Sequence, residues 1–107
     1  MSKTLERVQQ LIQSGELRIS DHGYDELAAD GLMARDVVEG IAHALVVEDY
    51  LTYPKGPCVL VLQHDTDNQP VHVLWRIPKE RERPAVLVTA YRPDPELWQD
   101  GFLRRRR

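Results

Sequence analysis

The sequence offers little from which to build a covalent or metal-based site. Among 107 residues there is one cysteine, Cys58. No internal disulfide can form, which fits a reducing, cytoplasmic compartment. No apolar run approaches the roughly 18 residues that a membrane-spanning helix needs, and the mean hydropathy is −0.45. The opening MSKTLERVQQ is charged and lacks the apolar stretch of a signal peptide, so neither a membrane anchor nor export is expected. Histidines stand at 22, 43, 64 and 72, none paired as H-x-x-x-H on one helix, and Cys58 has no C-x-x-C partner. There is no Gly-rich phosphate loop, no G-x-S-x-G elbow and no paired-carboxylate signature. No metal and no cofactor are therefore expected.

What is present is enough for one core. Apolar residues make up 42% and charged residues 29%. That balance predicts a single domain over residues 1–103, followed by the basic tail Arg104–Arg107. The net charge of −3 is unevenly spread. Residues 1–50 hold four Lys/Arg against ten Asp/Glu, and residues 51–107 hold ten against seven. An acidic half is thus joined to a basic half.

The acidic half reads as helical. Leu5, Val8, Leu11 and Ile12 recur at spacings of three and four, predicting a helix from about Thr4 to Ser14 that Gly15 ends. A short extended piece, Leu17–Ser20, follows. Ser20 and Asp21 offer cap oxygens for a second helix bearing Tyr24 and Leu27. A third starts near Ala34 and is expected to bury Val37, Val38, Ile41, Ala42 and Leu45.

The basic half reads as strands over Val46–Leu51, Cys58–His64, Val71–Ile77 and Ala85–Tyr91, with turns at Pro54–Pro57 and Asp65–Gln69. Asp94–Trp98 reads as a turn of helix with Trp98 docking back. The fold expected is α+β: N-terminal helices on one face of a four-stranded antiparallel sheet, the other face partly open.

Period-two geometry gathers the candidate chemistry. His72 and Arg76 share one face of their strand, Thr89 and Tyr91 are expected to join them from the next, and Arg92 lies just past its end. A wet sheet face also carries polar residues without any role. His22 follows the Ser20/Asp21 cap, where the helix dipole favours a neutral imidazole able to act as a base. The plainer alternative is a histidine that caps the helix or hydrogen-bonds locally. His43 reads as a boundary residue and His64 as an exposed strand end. The arginine run is open to three readings: phosphate binding, a solubilising tail, or a segment lying on acidic surface.

Several stretches together carry a resemblance: Arg18-Ile19-Ser20-Asp21-His22, Asp36-Val37-Val38, the Pro54–Pro57 turn, Val71-His72-Val73, and Val88-Thr89-Ala90-Tyr91-Arg92-Pro93-Asp94 with Trp98. The chain is similar to the bacterial domain-of-unknown-function family numbered 4258, from about Glu16 to Trp98. Such proteins resemble, distantly, the RelE and MqsR toxins, small α+β ribonucleases of RelE/barnase-like fold. The resemblance implies a toxin with a zinc-finger antitoxin of the YgiT type as partner, acting on RNA, free or at the ribosome. Its pattern is matched at His22, His72, Tyr91 and Arg92, whereas Arg76 and Thr89 come from strand geometry. Many such toxins are strongly basic; this chain is net acidic.

The expected chemistry is metal-independent. His22 or His72 takes the proton of a ribose 2′-hydroxyl, which attacks the adjacent phosphate. Arg92 and Arg76 neutralise the phosphoryl oxygens, and Tyr91 orients the phosphate or stacks on a base. This requires His22, His72, Arg76 and Tyr91 to converge on one exposed surface. The alternative is a non-catalytic module that binds a protein segment on its open sheet face or edge.

Overall fold

The computed structural model describes residues 2–106; Arg107, the last residue of the expected tail, lies outside them. Helix α1 spans Lys3–Gln13 and buries Leu5, Val8 and Leu11, the stripe set by their spacing. Ser2 caps it: its Oγ accepts from the Leu5 amide at 3.1 Å and donates to Asp49 Oδ1 at 2.8 Å. One hydroxyl thus starts the helix and ties it to a strand. Strand β1 (Leu17–Ile19) and helix α2 (Asp21–Ala29) follow. The Ser20 hydroxyl accepts from the Gly23 amide at 2.9 Å and donates to the Val88 carbonyl at 3.1 Å, so it seats α2 on the sheet.

Helix α3 spans Ala34–Gly40 and passes into a 3₁₀ turn, Ile41–His43. This departs from the single helix expected to bury residues through Leu45. Val37 and Ile41 are buried, but Leu45 is exposed and already in a strand. The helix ends at Gly40, where a Cβ would stand 2.8 Å from the Gln63 carboxamide nitrogen. A side chain there would have to push the Gln63 carboxamide aside, and glycine itself is a poor helix former.

Strands β2 (Leu45–Tyr50), β3 (Cys58–His64), β4 (Pro70–Arg76) and β5 (Ala85–Tyr91) form the expected antiparallel meander. The sheet nevertheless has five strands in the order β1-β5-β4-β3-β2, because β1 pairs parallel with β5. A second, two-stranded sheet joins β6 (Trp98–Gln99) to β7 (Arg104–Arg105). The α+β class holds, but the four-stranded antiparallel expectation is corrected to a five-stranded mixed sheet. Three residues of β1 are too few to show a period of two, and only pairing with a distant strand makes them sheet.

The core fills one face. Residues of all three helices pack with Val59, Val61, Val71, Val73, Trp75 and Leu87. A buried polar bridge crosses this layer: the Gln63 amide donates to the Val37 carbonyl at 2.7 Å and accepts from the Trp75 indole at 3.2 Å. A β-bulge at Val88 shifts the register of β5, pairing Leu87 with Trp75 and Thr89 with Leu74. Leu87 therefore joins the helix-side core, while Thr89 and Tyr91 face the other way. Strict alternation would put all three on one face.

Candidate functional site

The face without helices is arranged in rows set by strand register. Tyr50, Cys58 and Arg76 stand abreast; Glu48, Leu60, Leu74 and Thr89 form the next row; Leu62, His72 and Tyr91 the third. Over the first two rows opens a cleft of about 340 Å³ floored by Leu60 and Leu74. Tyr50, Tyr53 and Tyr91 wall it, and Arg76, Val88, Thr89 and Arg105 also line it. Cys58 also reaches it, but burial pushes the thiol pKa up despite Arg76 nearby. It stays protonated and is a poor nucleophile.

Two guanidinium groups enter this cleft in different states. Arg105 Nε lies 3.1 Å from Glu48 Oε1, and the Tyr50 hydroxyl donates to Glu48 Oε2 at 2.6 Å. Burial, then the Glu48 carboxylate, raise the Tyr50 pKa, so its phenol stays protonated. Arg76 has no carboxylate at ion-pair distance among the described residues. It is half-buried with its charge uncommitted, which suits an anion.

His72 lies beneath this surface with no solvent exposure. Its Nε2 is 2.8 Å from the Phe102 carbonyl oxygen and its Nδ1 is 3.2 Å from the Tyr91 hydroxyl. The Trp98 ring meets it edge-on at 4.4 Å, so the hairpin of β6 and β7 forms its lid. Burial lowers the His72 pKa and raises that of Tyr91. Both are neutral near pH 7.

The expected convergence of His22, His72, Arg76 and Tyr91 on one exposed surface does not occur: His72 is buried, and the sequence-predicted residues separate into three places. Arg76, Thr89 and Tyr91 meet in the cleft with His72 behind them. His22 sits exposed in the first turn of α2, 3.6 Å from Glu26, and does not line the cleft. Arg92 lies at the β3–β4 turn, its guanidinium 2.7 Å from Asp65 and its amide 2.8 Å from Asp30. It borders a separate cavity of about 240 Å³. There Asp65 also accepts from the amides of Asp67 and Gln69. The Gln69 amide first, and Arg92 with it, hold its pKa down. Arg92 thus staples a turn.

Of the aromatic and charged residues that line the cleft, three lie outside the sequence-based set: Tyr50, Tyr53 and Arg105. Tyr50 is legible in the alternation Glu48-Asp49-Tyr50, which puts it on the Glu48 face. Nothing in an arginine run marks Arg105, whose guanidinium lies 4.7 Å above the Trp98 ring. Among the described residues no cluster of three His, Cys, Asp or Glu side chains is placed to hold a metal ion. No helix among the described residues is long and apolar enough to cross a membrane.

Residues 19–92 match the family described as Domain of unknown function (DUF4258). The match covers α2, α3 and the four-strand meander, and it stops short of the hairpin that closes over His72. No curated protein and no solved structure matches the chain.

Proposed function

The chain belongs to the DUF4258 family, and from its cleft we propose that it is a metal-independent endoribonuclease, the toxin of a bacterial toxin–antitoxin pair acting in the cytoplasm. One observation carries this: an uncommitted Arg76 guanidinium beside Thr89 and Tyr91 in an aromatic-walled cleft on the helix-free face. A phosphate fits Arg76 and the Thr89 hydroxyl, bases stack on Tyr50 and Tyr53, and Tyr91 meets the ribose. The 2′-oxygen attacks the adjacent phosphorus, and Arg76 neutralises charge gathering on the phosphoryl oxygens. His22 and Arg92 have no role in this cleft.

The net charge of −3 argues for a local basic site or for RNA presented by a larger assembly such as the ribosome. The expected partner is a zinc-finger antitoxin encoded nearby. Purified protein in a chelator should cut labelled RNA, free or in translating ribosomes, and leave 2′,3′-cyclic phosphate ends. Arg76→Ala should lower the rate about 100-fold, the scale of losing one transition-state donor. Intact RNA in both settings, with healthy growth on induced expression, would defeat the proposal.

A second reading has its own support. β2 is an edge strand, and Leu45, Leu51 and Tyr53 are exposed at its two ends. An apolar partner segment could add there as a strand without any catalysis. Leu51→Asp should then abolish partner binding while leaving RNA untouched.

A further inference from the structure

His72 is fully buried and faces neither solvent nor cleft, yet it contacts the hydroxyl of a cleft residue. We propose that His72 holds the Tyr91 hydroxyl as a hydrogen-bond acceptor toward the cleft and takes up its proton, so that the site selects a ligand hydroxyl, the ribose 2′-OH, over a 2′-deoxy sugar. This rests on the ribonuclease reading of the same cleft.

The direction of the hydrogen bonds follows from elimination. A carbonyl oxygen only accepts, so the ring nitrogen 2.8 Å from Phe102 O carries a hydrogen. A neutral imidazole then has its lone pair on Nδ1, and the group 3.2 Å away there is the Tyr91 hydroxyl. Tyr91 must donate inward. Its remaining lone pairs turn to the cleft, where a donor is welcome and a phosphate oxygen is not.

The surroundings keep the ring neutral. Leu62 flanks it on β3, Trp98 covers it from β6, and neither ring nitrogen has a carboxylate partner. Arg105 on β7 opposes a positive charge there, and Glu48 on β2 exerts its field on Tyr91. The hairpin carries a backbone cost to supply the carbonyl. Asp100, Gly101 and Phe102 have φ of 53°, 65° and 71° in succession. For a residue with a Cβ this left-handed region is strained. Such a turn fits a requirement to set the Phe102 carbonyl on His72.

In the reaction, the 2′-hydroxyl proton passes to Tyr91 Oη as the Tyr91 proton passes to His72 Nδ1. The 2′-oxygen bonds to phosphorus, the bond from phosphorus to the 5′-oxygen breaks, and that oxygen takes a proton from water in the open cleft. The imidazolium keeps its Nε2–H on Phe102 and later returns the extra proton through Tyr91 to water. Products are a 2′,3′-cyclic phosphate and a 5′-hydroxyl. His72 acts only through Tyr91, as a positioning residue.

Nitrogen-15 NMR of the free protein at neutral pH should show His72 as the Nε2–H tautomer; an Nδ1–H tautomer would overturn the assignment. In single-turnover cleavage, His72→Gln keeps one donor and one acceptor but no base. It should bind RNA within about twofold of wild type, cleave about 100-fold slower, and lose the acidic limb of the pH profile. Wild-type rate and profile in His72→Gln would overturn the relay. A single 2′-deoxy substitution at the cleavage site should weaken wild-type binding about tenfold and leave Tyr91→Phe unaffected; equal loss in both would also overturn it. If wild type cleaves nothing, the ribonuclease reading and the relay fail together. The tautomer spectrum and the 2′-deoxy comparison still decide the acceptor assignment.

Discussion

The guanidinium of Arg105 lies 4.7 Å above the Trp98 ring, and that ring packs perpendicular to His72 with centroids 4.4 Å apart. Strand β7 is therefore part of the lid over the buried histidine. A chain truncated after Leu103 loses the strand pair, the cation–π contact and the Arg105–Glu48 ion pair together. Each exposed contact of this kind contributes about 0.5–1 kcal/mol. The thermal midpoint should fall by about 4–8 °C for each kcal/mol lost, and Trp98 emission should shift red. Unchanged emission would show that the arginine run contributes nothing to the lid.

Gln63 joins α3 to the sheet through two buried hydrogen bonds, to the Val37 carbonyl and from the Trp75 indole. Gln63→Ala orphans both partners and opens a void. Urea unfolding should report a loss of about 2–4 kcal/mol. Gln63→Glu keeps the size but replaces the donor to Val37 with a buried charge, and should be at least as damaging.

Gly56 has φ +126°, and a Cβ there would stand 2.0 Å from the Ile77 carbonyl oxygen. Gly56→Ala must move backbone, with an expected cost of about 3 kcal/mol. Because Tyr53 and Cys58 flank this turn and line the cleft, RNA binding should weaken along with stability. Equal stability of Gly56→Ala and wild type would mean that the Gly56 turn does not press on the Ile77 carbonyl.

Acid should destabilise the fold through His72. Burial first, and the Arg105 charge as well, set its pKa below the ordinary 6.5, whereas the Phe102 carbonyl only partly opposes this. The unfolded chain binds a proton near pH 6.5 and the folded chain does not. The stability from neutral His72 is whole above that pH and shrinks as pH falls toward the lower folded value. Asp65, also held low, acts in a separate window below its ordinary 3.8. Urea midpoints of wild type should drop on going from about pH 7 to 5, and His72→Gln should show a flatter slope. Parallel slopes would rule out His72 as the cause.

Much of the fold is written locally. The stripe of Leu5, Val8 and Leu11, the Ser20 cap and the apolar run of Cys58–His64 are decided by neighbours within a turn or a strand. The bounds of β3 and β5 can be read almost to the residue for that reason. The face shared by Arg76, Thr89 and Tyr91 is also within reach of period-two reading, because the bulge at Val88 restores them to one side. The same bulge removes Leu87 from that side, which strict alternation cannot foresee.

What only the tertiary structure decided depends on partners far apart in the chain. Leu17–Ile19 becomes a strand because β5 lies alongside it, 68 positions on. His72 is buried because Trp98 and Phe102 close over it, and Arg92 leaves the site because Asp65 and Asp30 hold it elsewhere. Arg105 enters the cleft because Glu48 and Trp98 receive it. Local propensity acts over a few residues, whereas burial and ion pairing are set by whichever surface the chain brings near. The sequence determined the types of side chain and the element that carries each; long-range packing decided which stand together, which proton each carries, and which face meets solvent.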